Sequence, residues 1–174
     1  IIGFLDESSL RSDPSRRRVI NTPVVIYSDK GEVYERRSMT IFGFMALNGS
    51  DVVMVSETAK AIDMASFLDV VRRENGNKND LPILIVIDNA RIHIAKVTGV
   101  RAEELAIFRT FLPPYSPDLQ PIEFGWKDLK SELAAKLDFD AMINASGPTT
   151  LKLFEERKTG YAAHWIESFI TVKS

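Results

Sequence analysis

The sequence predicts an α/β protein: a mixed five-stranded sheet, an antiparallel hairpin plus parallel strands, flanked by helices. Three observations carry this prediction. Two short apolar runs, residues 1–5 and 83–87, are each followed at once by an aspartate, Asp6 and Asp88. Residues 38–47 and 51–55 are rich in β-formers and are separated by Asn48-Gly49-Ser50; Asn-Gly between two such runs signals a hairpin. Met64, Phe67, Leu68 and Val71 then recur at i, i+3, i+4 and i+7, the period of an amphipathic helix.

Along the chain, residues 1–5 read as a short buried strand, with Asp6 directly after it. Residues 7–21 are polar, contain Pro14 and the triplet Arg16, Arg17, Arg18, and read as a loop or ribbon leaving the sheet. The arginines suit either a solvated turn or a phosphate contact. Residues 22–28 suggest an extra strand, and Asp29-Lys30-Gly31 a turn. The helix carrying Met64 starts near Asp63, leaves Asp69, Arg72 and Arg73 elsewhere around the turn, and ends in the polar residues 74–80. In the next run Ile83, Ile85, Val86 and Ile87 are β-branched and no charge intervenes, so the strand should be covered on both faces. A helical piece over 92–105, interrupted near Thr98-Gly99, leads to a strand at 107–112.

Four prolines within residues 112–121 force a rigid, extended entry to the next helix. Pro121 suits its first turn. Ile122, Trp126, Leu129, Leu133 and Leu137 form its buried stripe, while Glu123, Lys127 and Lys130 share a different face. Residues 141–148 break the pattern. Two last helical pieces are expected near 150–157 and 161–169, the second with Ala162, Trp165, Ile166 and Phe169 on its apolar face.

Bulk properties bound the function. The 174 residues suffice for one domain that buries roughly 70% of its unfolded surface, and the expectation is a single unit over 1–174. The chain opens at Ile1, inside a strand, and is expected to be a domain excised from a longer protein. The absence of cysteine excludes disulfides and thiolate zinc sites and fits a reducing compartment. No run of about 18 apolar residues could span a membrane as a helix, and no secretory signal is visible. A net charge of −2 gives no broad basic surface, so any DNA contact must come from local basic clusters.

The acids form the constellation of interest. Parallel neighbours joined by a crossover helix would place Asp6 and Asp88 side by side at one sheet edge, where ligands of open α/β sheets collect. The proline-rich segment would deliver Glu123 to the same edge, in a first helical turn that favours its ionised form by about 0.3–1 kcal/mol. A lone aspartate after a strand is as readily a turn former or helix cap; convergence is what distinguishes the two. Two unit charges about 4 Å apart cost about 4 kcal/mol at an effective dielectric near 20. Such acids therefore stay partly protonated or hold a divalent cation. All-oxygen ligation suits Mg²⁺ or Mn²⁺ rather than zinc. Two ions about 3.5–4 Å apart can activate an attacking oxygen and stabilise a leaving oxygen on phosphorus.

Three blocks carry a family resemblance. FLDES at 4–8, VIDNARIH at 86–93 and LPPYSPDLQPIEFGWKDLK at 112–130 resemble the catalytic blocks of the DDE transposases of the mariner and bacterial insertion-sequence group. Residues 89–122, thirty-four in all, separate Asp88 from Glu123, the spacing of a major branch of that group. The third block is very specific, the first is weak alone, and the resemblance spans essentially the whole chain.

The resemblance implies a ribonuclease H-like fold. It implies Asp6, Asp88 and Glu123 as catalytic residues and metal ligands, with Asp6 bridging two Mg²⁺ ions (Mn²⁺ substituting), Asp88 on one and Glu123 on the other. The implied chemistry is cleavage at transposon ends by activated water, then attack of the freed 3′-hydroxyl on target DNA. It further implies DNA as partner, a homodimer of the full-length protein and an intracellular, DNA-associated setting. The group's N-terminal helix-turn-helix DNA-binding region is expected to be absent from this chain.

Two departures stand out: Gln120 where the group commonly has Asn, and a longer polar stretch between Asp6 and Ser38. Asn89, Arg91 and His93 are candidates to position a substrate phosphate or orient metal ligands, against helix capping and a surface histidine. Lys127 and Lys130, like Arg16, Arg17 and Arg18, are candidates for DNA contact, against a solvated face. Asp118 is a runner-up acid, otherwise a turn residue. His164 fits a core or surface role. Two other functions stay open: a metal-dependent nuclease without strand transfer, and an inactive, domesticated DNA-binding or dimerisation domain. A nucleotide-hydrolysing ATPase is excluded by the lack of any G-x-x-x-x-G-K-[ST] loop.

Overall fold

The structure, a computed structural model, describes residues 1–12, 37–76, 79, 81–114, 116, 119–134 and 138–171, with side chains as far as 163. Arg16, Arg17 and Arg18, the expected strand at 22–28, the turn at 29–31, Asp118 and Leu137 lie outside the described residues. So do the side chains of His164, Trp165, Ile166 and Phe169.

The chain runs β1 (Ile2–Arg11), β2 (Ser38–Ala46), β3 (Val52–Ser56), α1 (Ala61–Glu74), β4 (Ile83–Ile87), α2 (Arg91–Ile94), α3 (Lys96–Glu104), β5 (Ile107–Phe111), α4 (Ile122–Leu133) and α5 (Phe139–Thr171). The five strands form one sheet in the order β3-β2-β1-β4-β5. β1, β2 and β3 pair antiparallel, and β1, β4 and β5 pair parallel. The expected mixed sheet is present.

Alternation along the strands divides the core in two. Leu5, Ile83, Ile85 and Ile87 face α1 and α3, meeting Met64, Phe67, Leu68 and Val71. Phe4, Leu10 and Val86 face α4 and α5, meeting Ile122, Trp126, Leu129 and Phe154. The hairpin is fixed by its own side chains. Asn48 Oδ1 accepts from Ile2 N at 2.7 Å, and Asp51 Oδ1 accepts from Ala46 N at 2.8 Å.

Three expectations are corrected. β1 does not stop at Leu5: its ladder with β2 continues to the pair Arg11–Ser38, so Asp6 lies mid-strand and the loop begins later. The apolar signal lapses there because Asp6 lines the cleft and Glu7 turns to His93, while pairing with β2 carries the strand on. The helical piece after β4 breaks at Ala95, not near Thr98-Gly99. Thr98 is buried inside α3, where its hydroxyl donates to Ile92 O at 2.6 Å. Arg72, placed off the apolar stripe of its helix, is nonetheless buried and donates to Leu81 O at 2.9 Å and Ala106 O at 3.0 Å, satisfying carbonyls ahead of β4 and β5.

The last correction concerns the C-terminal segment. It is one helix, α5, with Pro148 inside it. A proline removes one rung of the ladder, but packing on both sides outweighs the loss. Ile143 and Ala145 before it, and Leu153 and Phe154 after it, join the same core cluster. Thr150 Oγ1 also donates back to Ser146 O at 2.7 Å.

Candidate active site

Sheet register sets the first two acids level. Phe4 on β1 pairs with Val86 on β4, the last parallel pair. Two residues further, Asp6 and Asp88 stand abreast where β4 leaves the sheet. At this point Leu5 O faces the side β4 has vacated, as Ile1 O does where it accepts from Leu84 N. Gln120 fills the gap: its buried amide donates from Nε2 to Leu5 O at 2.9 Å. The residue that departs from the expected Asn thus ties the proline-rich segment to the strand bearing Asp6. It also aims α4, and with it Glu123, at the same opening. Asp6, Asp88, Glu123, Asn89, Ser116 and Gln120 all line one cleft of about 460 Å³.

The acids differ in environment. Asp6 is only 8% exposed and accepts from Trp126 Nε1 at 2.9 Å. Burial, reinforced by the charges of Glu7 and Glu123, pushes its carboxyl up to about 8 despite the indole. Asp88 is exposed, and the His93 hydrogen bond, with a further one from Ala90 N, holds it below the usual carboxylate range. Glu123 is exposed on the first turn of α4. Partial desolvation raises it, Lys130 opposes the rise, and Asp88 and Glu7 add to it. The acids therefore feel one another across the cleft.

Trp126 reaches Asp6 because the residue paired with Asp6 on β2 is Gly43. A Cβ built there would lie 2.5 Å from Trp126 Cη2. Gly43→Ala is expected to push the indole off the carboxylate. Overpacking of this kind costs about 1–3 kcal/mol, readable by chemical denaturation, with a displaced indole N–H resonance in the NMR spectrum. An unshifted resonance would show that the ring has room to spare.

The remaining candidates fall into three groups. Asn89 lines the cleft, and its Nδ2 donates to Leu112 O at 2.6 Å, tying the ends of β4 and β5. His93 is not a surface histidine: it is fully buried. Its Nδ1 lies 2.5 Å from Asp88 Oδ1 and its Nε2 2.8 Å from Glu7 Oε2. Burial pulls the imidazole down, but hydrogen bonds and charges of Asp88 and Glu7 outweigh it and carry the group up to about 9. Arg91, Lys127 and Lys130 are exposed outside the cleft lining.

Glu7 escaped the sequence reading. Ending β1 at Leu5 discarded the alternation that sends Asp6 to one face and Glu7 to the other. Extending the strand through Ser8 and Leu10, both buried, would have exposed it.

The donor set is one of oxygens. Both nitrogens of His93 are engaged, which leaves carboxylates as the ligating groups facing the cleft. Among the described residues no three acids are grouped tightly enough to hold one ion by themselves. Asp6 leans on Trp126 and Asp88 on His93. Such a set suits Mg²⁺ or Mn²⁺, which bind through one or two carboxylates and keep water or phosphate oxygens in the other positions.

The sequence profile of a family described as DDE superfamily endonuclease matches residues 2–144. No curated protein matches the chain. Among solved structures, the Mos1 strand transfer complex superposes with a TM-score of 0.57 at 18% identity, covering 94% of this chain and 54% of that one. The catalytic domain of Mos1 mariner transposase gives 0.51 at 16%, covering 94% and 82%. The catalytic core domain of BIV integrase gives 0.52 at 17%, covering 99% and 98%. At such identities the likeness shows the fold: the sheet and its flanking helices are ribonuclease H-like. The chain spans about half the length of the Mos1 chains in their DNA-end complexes.

Proposed function

We propose, from the premise that this chain belongs to the DDE superfamily endonucleases, that it is the metal-dependent catalytic domain of a DNA transposase. It cuts phosphodiesters at transposon ends and joins the freed 3′-hydroxyl to target DNA. One observation carries this reading: Asp6, Asp88 and Glu123, far apart in sequence, line a single cleft.

Asp6, Asp88 and Glu123 would hold two divalent ions, Mg²⁺ or Mn²⁺. When bound, such ions lower the charge barrier at phosphorus and make the attacking oxygen a better nucleophile. The chain's own part is placement. Register brings Asp6 and Asp88 abreast, Gln120 braces the strand end, and α4 presents Glu123. In the first step the oxygen of water bonds to phosphorus and the 3′-oxygen leaves as a hydroxyl. In the second that hydroxyl bonds to a target phosphorus and a target 3′-oxygen leaves. Bond count is conserved, and no covalent enzyme intermediate is needed. Lys127 and Lys130, on the helix of Glu123, and Arg91, beyond Asp88, are candidates to meet DNA phosphates, as are Arg16, Arg17 and Arg18. The same reading includes two copies of the full-length protein working on DNA inside the cell.

The test is a gel assay with a labelled 3′-hydroxyl donor end and a supercoiled target, in Mg²⁺, Mn²⁺ or EDTA. Labelled joined product in either metal and none in EDTA is expected. Cutting without joining would reduce the function to a nuclease. Neither reaction, from folded protein in either metal, would overturn the proposal.

A further inference from the structure

Behind the cleft, on the face of β1 opposite Asp6, a polar chain centred on the buried His93 runs from Glu7 to Asp88, and the transposition chemistry does not use its first two members. Glu7 meets His93 Nε2 and Asp88 meets His93 Nδ1. The ring is held from its backbone as well: His93 N donates to Ala90 O at 2.9 Å, and Arg109 Nη1 donates to His93 O at 2.7 Å. A neutral imidazole has one N–H, whereas both nitrogens here face carboxylate oxygens. Among described residues, every hydrogen bond to the Asp88 carboxylate falls on Oδ1, from His93 and from Ala90 N at 2.9 Å. Oδ2 is left for the cleft.

We propose that Glu7 and His93 are a positioning pair for Asp88: Glu7 orients the imidazole, and the imidazole pins Oδ1 so that Oδ2 is presented to a metal ion. This rests on Asp88 being a metal ligand, as the proposed function has it. Neither residue touches substrate. Glu7 arrives from 86 residues away and adds little to the apolar core. Its contribution is an oriented charge behind a ligand's partner, and partners of this kind set metal affinity by about 10–100-fold.

Two substitutions of His93 separate positioning from packing. The amide nitrogen of His93→Asn reaches the place of Nδ1 and keeps Asp88 while losing Glu7. That of His93→Gln reaches the place of Nε2 and keeps Glu7 while losing Asp88. The probe is Mn²⁺ alone, titrated against the melting temperature of the whole chain without DNA. His93→Asn, which loses only Glu7, is expected to need about 3-fold more Mn²⁺ than the parent, and His93→Gln, which loses Asp88, at least about 10-fold more. In the cleavage assay His93→Gln should lose kcat with KM for DNA unchanged. Equal Mn²⁺ midpoints for the two variants would overturn the proposal, even if both melt lower without metal. Should neither fold, Glu7→Gln decides, since it keeps an acceptor for Nε2 but gives up the charge. A rise of about 3-fold or more in its midpoint supports the pair, and an unchanged midpoint overturns it. If the parent itself shows no response to Mn²⁺, the metal-site reading fails first and the positioning role falls with it.

Discussion

The Glu123→Gln protein is expected to cleave DNA at least about 1,000-fold more slowly than the parent while melting at the same temperature or slightly above it. The fold half of this rests on exposure and isolation. Glu123 sits at the surface on the first turn of α4. None of the described side chains bonds to its carboxylate, and partial desolvation, opposed by Lys130 and joined by Asp88 and Glu7, raises its proton affinity. Replacing this partly desolvated charge by a neutral amide should relieve the metal-free protein. The rate half rests on charge: an ion polarising a phosphoryl oxygen supplies several kcal/mol, and about 4 kcal/mol is close to a factor of 1,000. Single-turnover cleavage and calorimetry on the same preparation read both halves. Cleavage within tenfold of the parent would remove Glu123 from the catalytic set. Asp88→Asn is a poorer test, because it strips a buried histidine of one of its two acids. Losing that charge loosens the hold on a buried ring, so lost activity could not be told from a disturbed fold.

In EDTA, Asp6→Asn is expected to be more stable than the parent, by a margin that widens from about pH 4 to about pH 8. Asp6 has its carboxyl raised from 3.8 to about 8, first by burial and then by Glu7 and Glu123. A raised acid keeps its proton in the native state where the unfolded chain has released it. Its favourable contribution is complete below the unfolded value and is lost as pH climbs through the window to the folded value. The slope is at most about 1.4 kcal/mol per pH unit. The amide has no proton to lose and still offers Trp126 an acceptor. Urea titrations of both proteins at pH 5, 6.5 and 8 give the margin directly; a margin that stays flat would refute the buried-acid account. Saturating Mn²⁺ should shrink or reverse it, because only the parent gains a strong ligand interaction through its native state.

The sequence revealed most where one physical signal acts alone. Asn48-Gly49 fixed the hairpin, and the spacing of Met64, Phe67, Leu68 and Val71 fixed α1, because turn chemistry and helical periodicity are local. The order of three acid-bearing blocks located Asp6, Asp88 and Glu123, which line one cleft. Local signals failed where tertiary contacts took over. β1 continues through polar residues because β2 pairs with it, and hydropathy does not report a partner strand. Arg72 falls off the apolar stripe of its helix, yet Leu81 and Ala106 bury it by offering two carbonyls. Pro148 reads as a break until the core on both sides of it is seen. Glu7 hid for a related reason: it looks like an ordinary polar residue, and only the fold brings it to His93, which the second block had already singled out.

Asp6 and Glu7 are adjacent on β1 yet serve opposite halves of the molecule. A copy that zipped β1 onto β2 one notch out of step would exchange them, turning Glu7 toward Trp126 and Asp6 toward His93. The same error would drive Phe4 and Leu5 into each other's seats. Chemical identity and apolar fit are thus checked by one lock, and a mis-zipped chain gains no stable shape in which to persist as an idle impostor.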